Sequence, residues 1–223
     1  MSIPQINNGK KPDEYMTIFN MLPLQAHTPF GNLCLKHSKI VARLDHVNRK
    51  LIFVYHDWQR ALSGQFDPSH DITAHLLWIE EIAYFLRVTI DELIALAYLI
   101  YFKQKNGKYP DRIIIGSIGA LLKEDKKKDR QFDELFSDYL GWLSIINNVT
   151  NAYKHSFINS DQSLIGRDEP CVPVLELHRN DLNNNTNFYS LSLKEVINDF
   201  NKFYEFIMAY IKDNAPPHLD ISE

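Results

Sequence analysis

Apolar residues return every three to four positions through most of this chain, a period that suits helices and little else. From Lys36 onward, Ile40, Leu44, Val47, Leu51, Val54, Tyr55, Trp58 and Leu62 hold that step. They predict an amphipathic helix that ends at Gly64 and the turn Phe66-Asp67-Pro68-Ser69. Ser69 or Asp71 caps a second helix, with Ile72, Leu76, Ile79, Ala83 and Leu86 on one face. Thr89-Ile90-Asp91-Glu92 has the form of a capping box and predicts a separate third helix to about Lys105. Ile113 to Leu122 reads as a short helix, although two glycines and three adjacent isoleucines leave a strand open. The longest helix is expected over about 131–157, on the spacing of Phe132, Phe136, Tyr139, Leu143, Ile146, Val149, Tyr153 and Phe157.

Beyond Ser156 the pattern changes. Cys171 to His178 is rich in Val and Leu and reads as a strand, which Pro173 confines to a sheet edge. A polar turn over Asn180 to Asn187 leads to a return strand at Phe188 to Leu191. Ser192-Leu193-Lys194-Glu195 is a further capping box, opening a last helix through Val196, Phe200, Phe203, Ile207 and Tyr210. The expected fold class is mainly α: an antiparallel bundle of five to six helices with a small β-hairpin before the last one. Residues 1–35 hold four prolines and read as an irregular arm, residues 36–213 as one domain with its hairpin at about 171–191, and residues 214–223 as a tail.

Composition narrows the function classes. The chain has 223 residues, 45% of them apolar, and a net charge of -4, which does not suit a coat for duplex DNA. Its two cysteines rule out a small secreted disulfide scaffold. The first residues lack an apolar signal core, and the most apolar run, Leu93 to Phe102, is about half a bilayer span. A cytoplasmic protein without membrane partners is expected. There is no GxGxxG, phosphate loop, GxSxG or HExxH, so no cofactor is expected. Gly116-Ser117-Ile118-Gly119 lacks the spacing of a nucleophile elbow.

The most informative polar pattern lies near the end of the long helix. At about 100° per residue, Ser144, Asn148, Asn151 and His155 share one stripe, with Asn147 and Lys154 beside it. Asn offers donors and acceptors, and His titrates near neutrality. The row suits a phosphate or sugar edge with His155 moving a proton. It also suits a polar stripe facing water or a hydrogen-bonded groove, with Lys154 and His155 favoured at a helix carboxyl end.

A long bundle helix ending Asn-x-x-x-Asn-Ala-Tyr-Lys-His-Ser, followed by an insertion and a closing helix, resembles the HEPN superfamily over about Lys36 to Asp213. The resemblance implies a helical bundle, often a homodimer, that is either a metal-independent ribonuclease or a binding or protein-interaction module in stress and defence systems. Active members carry Arg, four to six residues, then His. Upstream of His155 that window holds Thr150, Val149 and Asn148. Only His155 carries over, with Asn148 or Asn151 as polar partners. An amide lacks the fixed charge that Arg offers a phosphate anion. The resemblance therefore implies an RNA- or nucleotide-associated binding module with weak catalysis or none.

Other constellations compete. Arg49, six residues, then His56 is a literal match to the family spacing, with both on the polar side of the first helix. His56-Asp57 and His70-Asp71 resemble the helical HD phosphohydrolases, and would make His56, Asp57, His70 and Asp71 a divalent-metal set. His37 or His46 would be the first ligand there, and Asp91 or Asp138 the last. Cys34, His37, Cys171 and His178 would make four zinc ligands, against the commoner role of buried free thiols. Lys123, Lys126, Lys127, Lys128 and Arg130 can meet phosphates or form a solvated loop. Phe132, Phe136, Tyr139, Trp142 and Tyr153 are expected in the core and not as a stacking platform. A protein-interaction domain with no small-molecule chemistry remains a third reading.

Overall fold

A computed structural model describes residues 2–9, 22–65, 71–123, 129–155, 168–177, 181, 183 and 186–215. The described chain is mainly helical, with a two-stranded antiparallel hairpin before the last helix. The helices are α1 (Leu33–Leu62), α2 (Asp71–Asn106), α3 (Ile118–Leu122), α4 (Arg130–Glu134), α5 (Leu140–His155) and α6 (Leu193–Asn214). The strands are β1 (Cys171–Leu177) and β2 (Thr186–Ser192), in register from Cys171↔Ser192 to Leu177↔Thr186. In a two-stranded sheet both strands are edges, which accommodates Pro173.

Helix α1 begins one turn earlier than expected, because the Asn32 side chain accepts from the Leu35 amide at 2.9 Å and caps it. It stops where Gly64 takes φ 73, a left-handed conformation that a side chain disfavours. Ser192 caps α6 as expected, accepting from the Glu195 amide.

The second and third expected helices are a single helix, α2, of 36 residues. The capping box is not used. Thr89 is fully buried, and Glu92 gives its carboxylate to Lys36 and Arg43 of α1 instead of reaching back to the chain. Leu93 to Ile100 has every residue buried except Ala95. This helix is apolar all round because it lies in the middle, packed by α1, α5 and α6.

The expected long helix over 131–157 is broken. The described chain has α4, a 3₁₀ turn at Ser137–Tyr139, and then α5. The break falls where aromatic packing decides the backbone path. Phe132 and Phe136 are fully buried with ring centroids 5.2 Å apart, and Tyr139 stacks on Phe206 of α6 at 4.9 Å. Burying each Phe is worth roughly 1.5–3 kcal/mol, more than the helical hydrogen bonds lost at the turn. Ile113 to Leu122 is helical only at α3, with Ser117 as its cap. Residues 2–9 and 22–32 form no helix or strand, and the first of these segments is held to α1: Ile6 is buried, its amide donates to Asn48 at 2.7 Å, and Asn8 donates to Asp45 at 2.7 Å. Among the described residues no helix is long and apolar enough to cross a membrane.

Candidate functional site

The polar row on α5 does not act as one stripe. It divides between two neighbours. Asn147 faces α2, where its Oδ1 accepts from Arg87 at 2.7 Å. Arg87 is buried, donates through Nε to both Asp91 carboxylate oxygens at 3.0 Å, and reaches Thr150 at 3.5 Å. Asp91 in turn accepts from the Ile118 amide at 2.7 Å and so anchors α3. This network satisfies a buried guanidinium with a carboxylate, an amide and a hydroxyl.

Asn148 turns to the hairpin instead. Its Nδ2 donates to the Tyr189 hydroxyl at 3.4 Å, which donates to Glu176 at 3.1 Å. Ser144 and Asn151 are half-buried, and their side chains make no hydrogen bond among the described residues. Lys154 and His155 are exposed in the last turn of α5. The Lys154 Nζ lies 5.4 Å over the Tyr84 ring.

Beside them α2 and α5 enclose a cleft of about 300 Å3, lined by Leu77, Glu80, Glu81, Tyr84, Thr150, Tyr153 and Lys154. Tyr84 is 46% exposed and presents a ring face at its mouth. Among the described residues the Glu80 side chain has no hydrogen-bond or ion-pair partner, and burial raises its pKa above the usual carboxylate range. Burial would raise Glu81 as well, but hydrogen bonds and charge from Lys50 (2.9 Å) and His46 (2.7 Å) outweigh it and hold Glu81 below that range. Burial pushes the Tyr153 phenol well up, and its hydroxyl donates to the Pro173 carbonyl at 3.2 Å. The cleft is an apolar slot with one ring face, one cation and one unpaired carboxylate.

Of the expected row, only Lys154 lines this cleft. Asn148 is committed to the hairpin, and Ser144, Asn151 and His155 stand outside it. Glu80, Tyr84 and Arg87 escaped attention in the sequence. Their spacing of four and three residues, which places them along one side of a helix, was the available signal.

The other candidates fall in separate places. Arg49 and His56 are both exposed on α1, the His56 side chain at 67%. Asp57 is buried, 3.6 Å from Arg60. His70 and the side chain of Asp71 lie outside the described residues, as does His178. His46 pairs with Glu81, and Asp91 with Arg87. Cys34, half-buried, and Cys171, buried, are not joined in a disulfide. Among the described residues no three His, Cys, Asp or Glu side chains gather as a metal site. Of the basic run, Lys126, Lys127 and Lys128 lie outside the described residues. Phe132 and Phe136 are core, with Tyr139, Trp142 and Tyr153 packed against it. Ser117 caps α3 by accepting from Ala120.

No family model matches the chain, and no curated protein or solved structure matches it either.

Proposed function

We propose that this protein is a HEPN-like binding module that is RNA- or nucleotide-associated, and that the α2–α5 cleft receives a single nucleotide unit. One observation carries the reading: at the mouth of a 300 Å3 slot, Lys154 and the exposed ring of Tyr84 stand 5.4 Å apart. A base stacks on Tyr84. Lys154 leaves the ring to meet the phosphate, and Glu80 accepts from a base amine. The two carboxylates in the slot disfavour a long phosphate track, so an end or a single flipped-out nucleotide suits it better than a duplex.

Binding without cleavage is the better form of this reading. Arg87 is the only arginine near α5 in the described network, and Asp91, Asn147 and Thr150 occupy it. Phosphoryl transfer needs a fixed charge aimed at the developing anion. His155 is exposed in the last turn of α5 and does not line the cleft.

The test is fluorescence anisotropy with a labelled short single-stranded RNA and with mononucleotides. Tyr84→Ala should weaken binding by roughly five- to a hundredfold, the usual worth of one base–aromatic stack. Binding left unchanged by both Tyr84→Ala and Lys154→Ala would sink the proposal. So would metal-independent RNA cleavage abolished by His155→Ala, in its non-catalytic form.

A further inference from the structure

A second cavity lies further along α2, separate from the cleft. It is a groove of about 560 Å3 between the first turns of α1, the second half of α2 and the segment at Ile113 to Gly116. The helices run antiparallel here, since Lys36 meets Glu92 while His46 meets Glu81. The α2 wall from Val88 to Leu99 is about 16 Å long at 1.5 Å per residue.

The groove has two unlike ends. Leu33, Leu35, Leu96, Leu99 and Ile113 make one end apolar. Leu96 and Leu99 form a buried floor there, while Leu35 is 57% exposed on the wall. Lys36, Lys39, Asp91 and Glu92 make the other end charged. Its two carboxylates are already matched: Asp91 by Arg87 and the Ile118 amide, Glu92 by both Lys36 and Arg43. Lys39 is exposed and has no hydrogen-bond or ion-pair partner among the described residues. The charged end therefore carries surplus positive charge.

We infer that this groove binds a small amphiphilic anion, a medium-chain carboxylate, with its chain along the Leu96 and Leu99 floor and its head at Lys39 beside Lys36. The volume lies within the usual range for small-molecule sites. The apolar trough supplies the affinity through chain burial. The unpaired Lys39 sets the sign of the head group. A cationic amphiphile would meet Lys36 and Lys39, with both carboxylates of the groove already paired.

The test uses the full chain, isotope-labelled for amide NMR, titrated with sodium decanoate below its micellar range. Saturable shifts are expected at Ala95, Ile113 and Gly116. Hexanoate should bind about two orders of magnitude more weakly, since each methylene is worth about fourfold. Decyltrimethylammonium should bind more weakly than decanoate. Lys39→Glu, on an exposed position that does not threaten the fold, should weaken decanoate by about fivefold and narrow the gap between the two head groups. The inference is overturned if decanoate gives no saturable shift at these amides, if affinity is independent of chain length, or if the cationic amphiphile binds as well. Amides around Tyr84 report the cleft separately, so failure here leaves the nucleotide reading standing or falling on its own measurement.

Discussion

His37 offers a clean perturbation, because it is a titratable ring placed where charge has no support. It lies on α1, 3% exposed, and neither ring nitrogen has a hydrogen-bond partner among the described residues. Burial pushes its pKa down to about 4. In the unfolded chain the same ring titrates at about 6.5. Below that value the unfolded state binds a proton that the folded state refuses, so folding stability falls as pH drops from about 6.5 to about 4 and then levels for this group. The separation opposes folding by about 3 kcal/mol at its full extent, and by about 2 kcal/mol between pH 7 and pH 5. That is a large share of a domain stability of about 5–15 kcal/mol. Urea unfolding of wild type and His37→Leu at pH 7 and pH 5 isolates the effect, since other groups cancel in the comparison. Wild type should lose about 2 kcal/mol more than the variant over that interval. At pH 7 the variant should be no less stable, because it removes two orphaned polar atoms at about 1–3 kcal/mol each while retaining an apolar body. Equal losses in the two proteins would refute the reasoning and mean that the ring finds water or a partner when charged.

Other substitutions test other parts of the structure. Arg87→Met should cost about 2–4 kcal/mol in urea unfolding, because Asp91 and Asn147 lose a shared buried partner. Tyr189→Phe should cost only about 0.5–1.5 kcal/mol, since it cuts the links to Asn148 and Glu176 at a partly exposed site. Gly141→Ala should stabilise by up to about 1 kcal/mol in thermal unfolding: Gly141 is helical, exposed, and a methyl there meets nothing within 4 Å. Incubation of wild type and His155→Ala with mixed RNA in EDTA should leave the RNA intact in both, read by gel.

The periodic apolar residues of this chain determine which segments are helices and which faces are buried. Ile40, Leu44, Val47, Leu51 and Val54 are all in the core, as are Phe200, Phe203 and Ile207. The Ser192 cap and the strand pairing across the hairpin were also legible, because turn and cap chemistry is local. Two boundaries were not. The Thr89 box is overridden because Glu92 finds stronger partners in Lys36 and Arg43, residues some fifty positions away that no local pattern reveals. The break after α4 follows from aromatic packing against α6, which a three-to-four period cannot register, since the period continues through the break. The candidate site divides in the same way. The identities of Asn148, Asn151, Lys154 and His155 were visible as a polar row. Which of them faces what depends on a helix rotation of about 100° per residue and on the neighbours that α5 meets. Tertiary packing alone turned Asn147 to a buried arginine, Asn148 to the hairpin and Lys154 to a tyrosine. Local sequence determines which conformation each segment prefers, whereas charge pairing and side-chain burial between distant segments decide where one helix ends and which of its faces becomes a site.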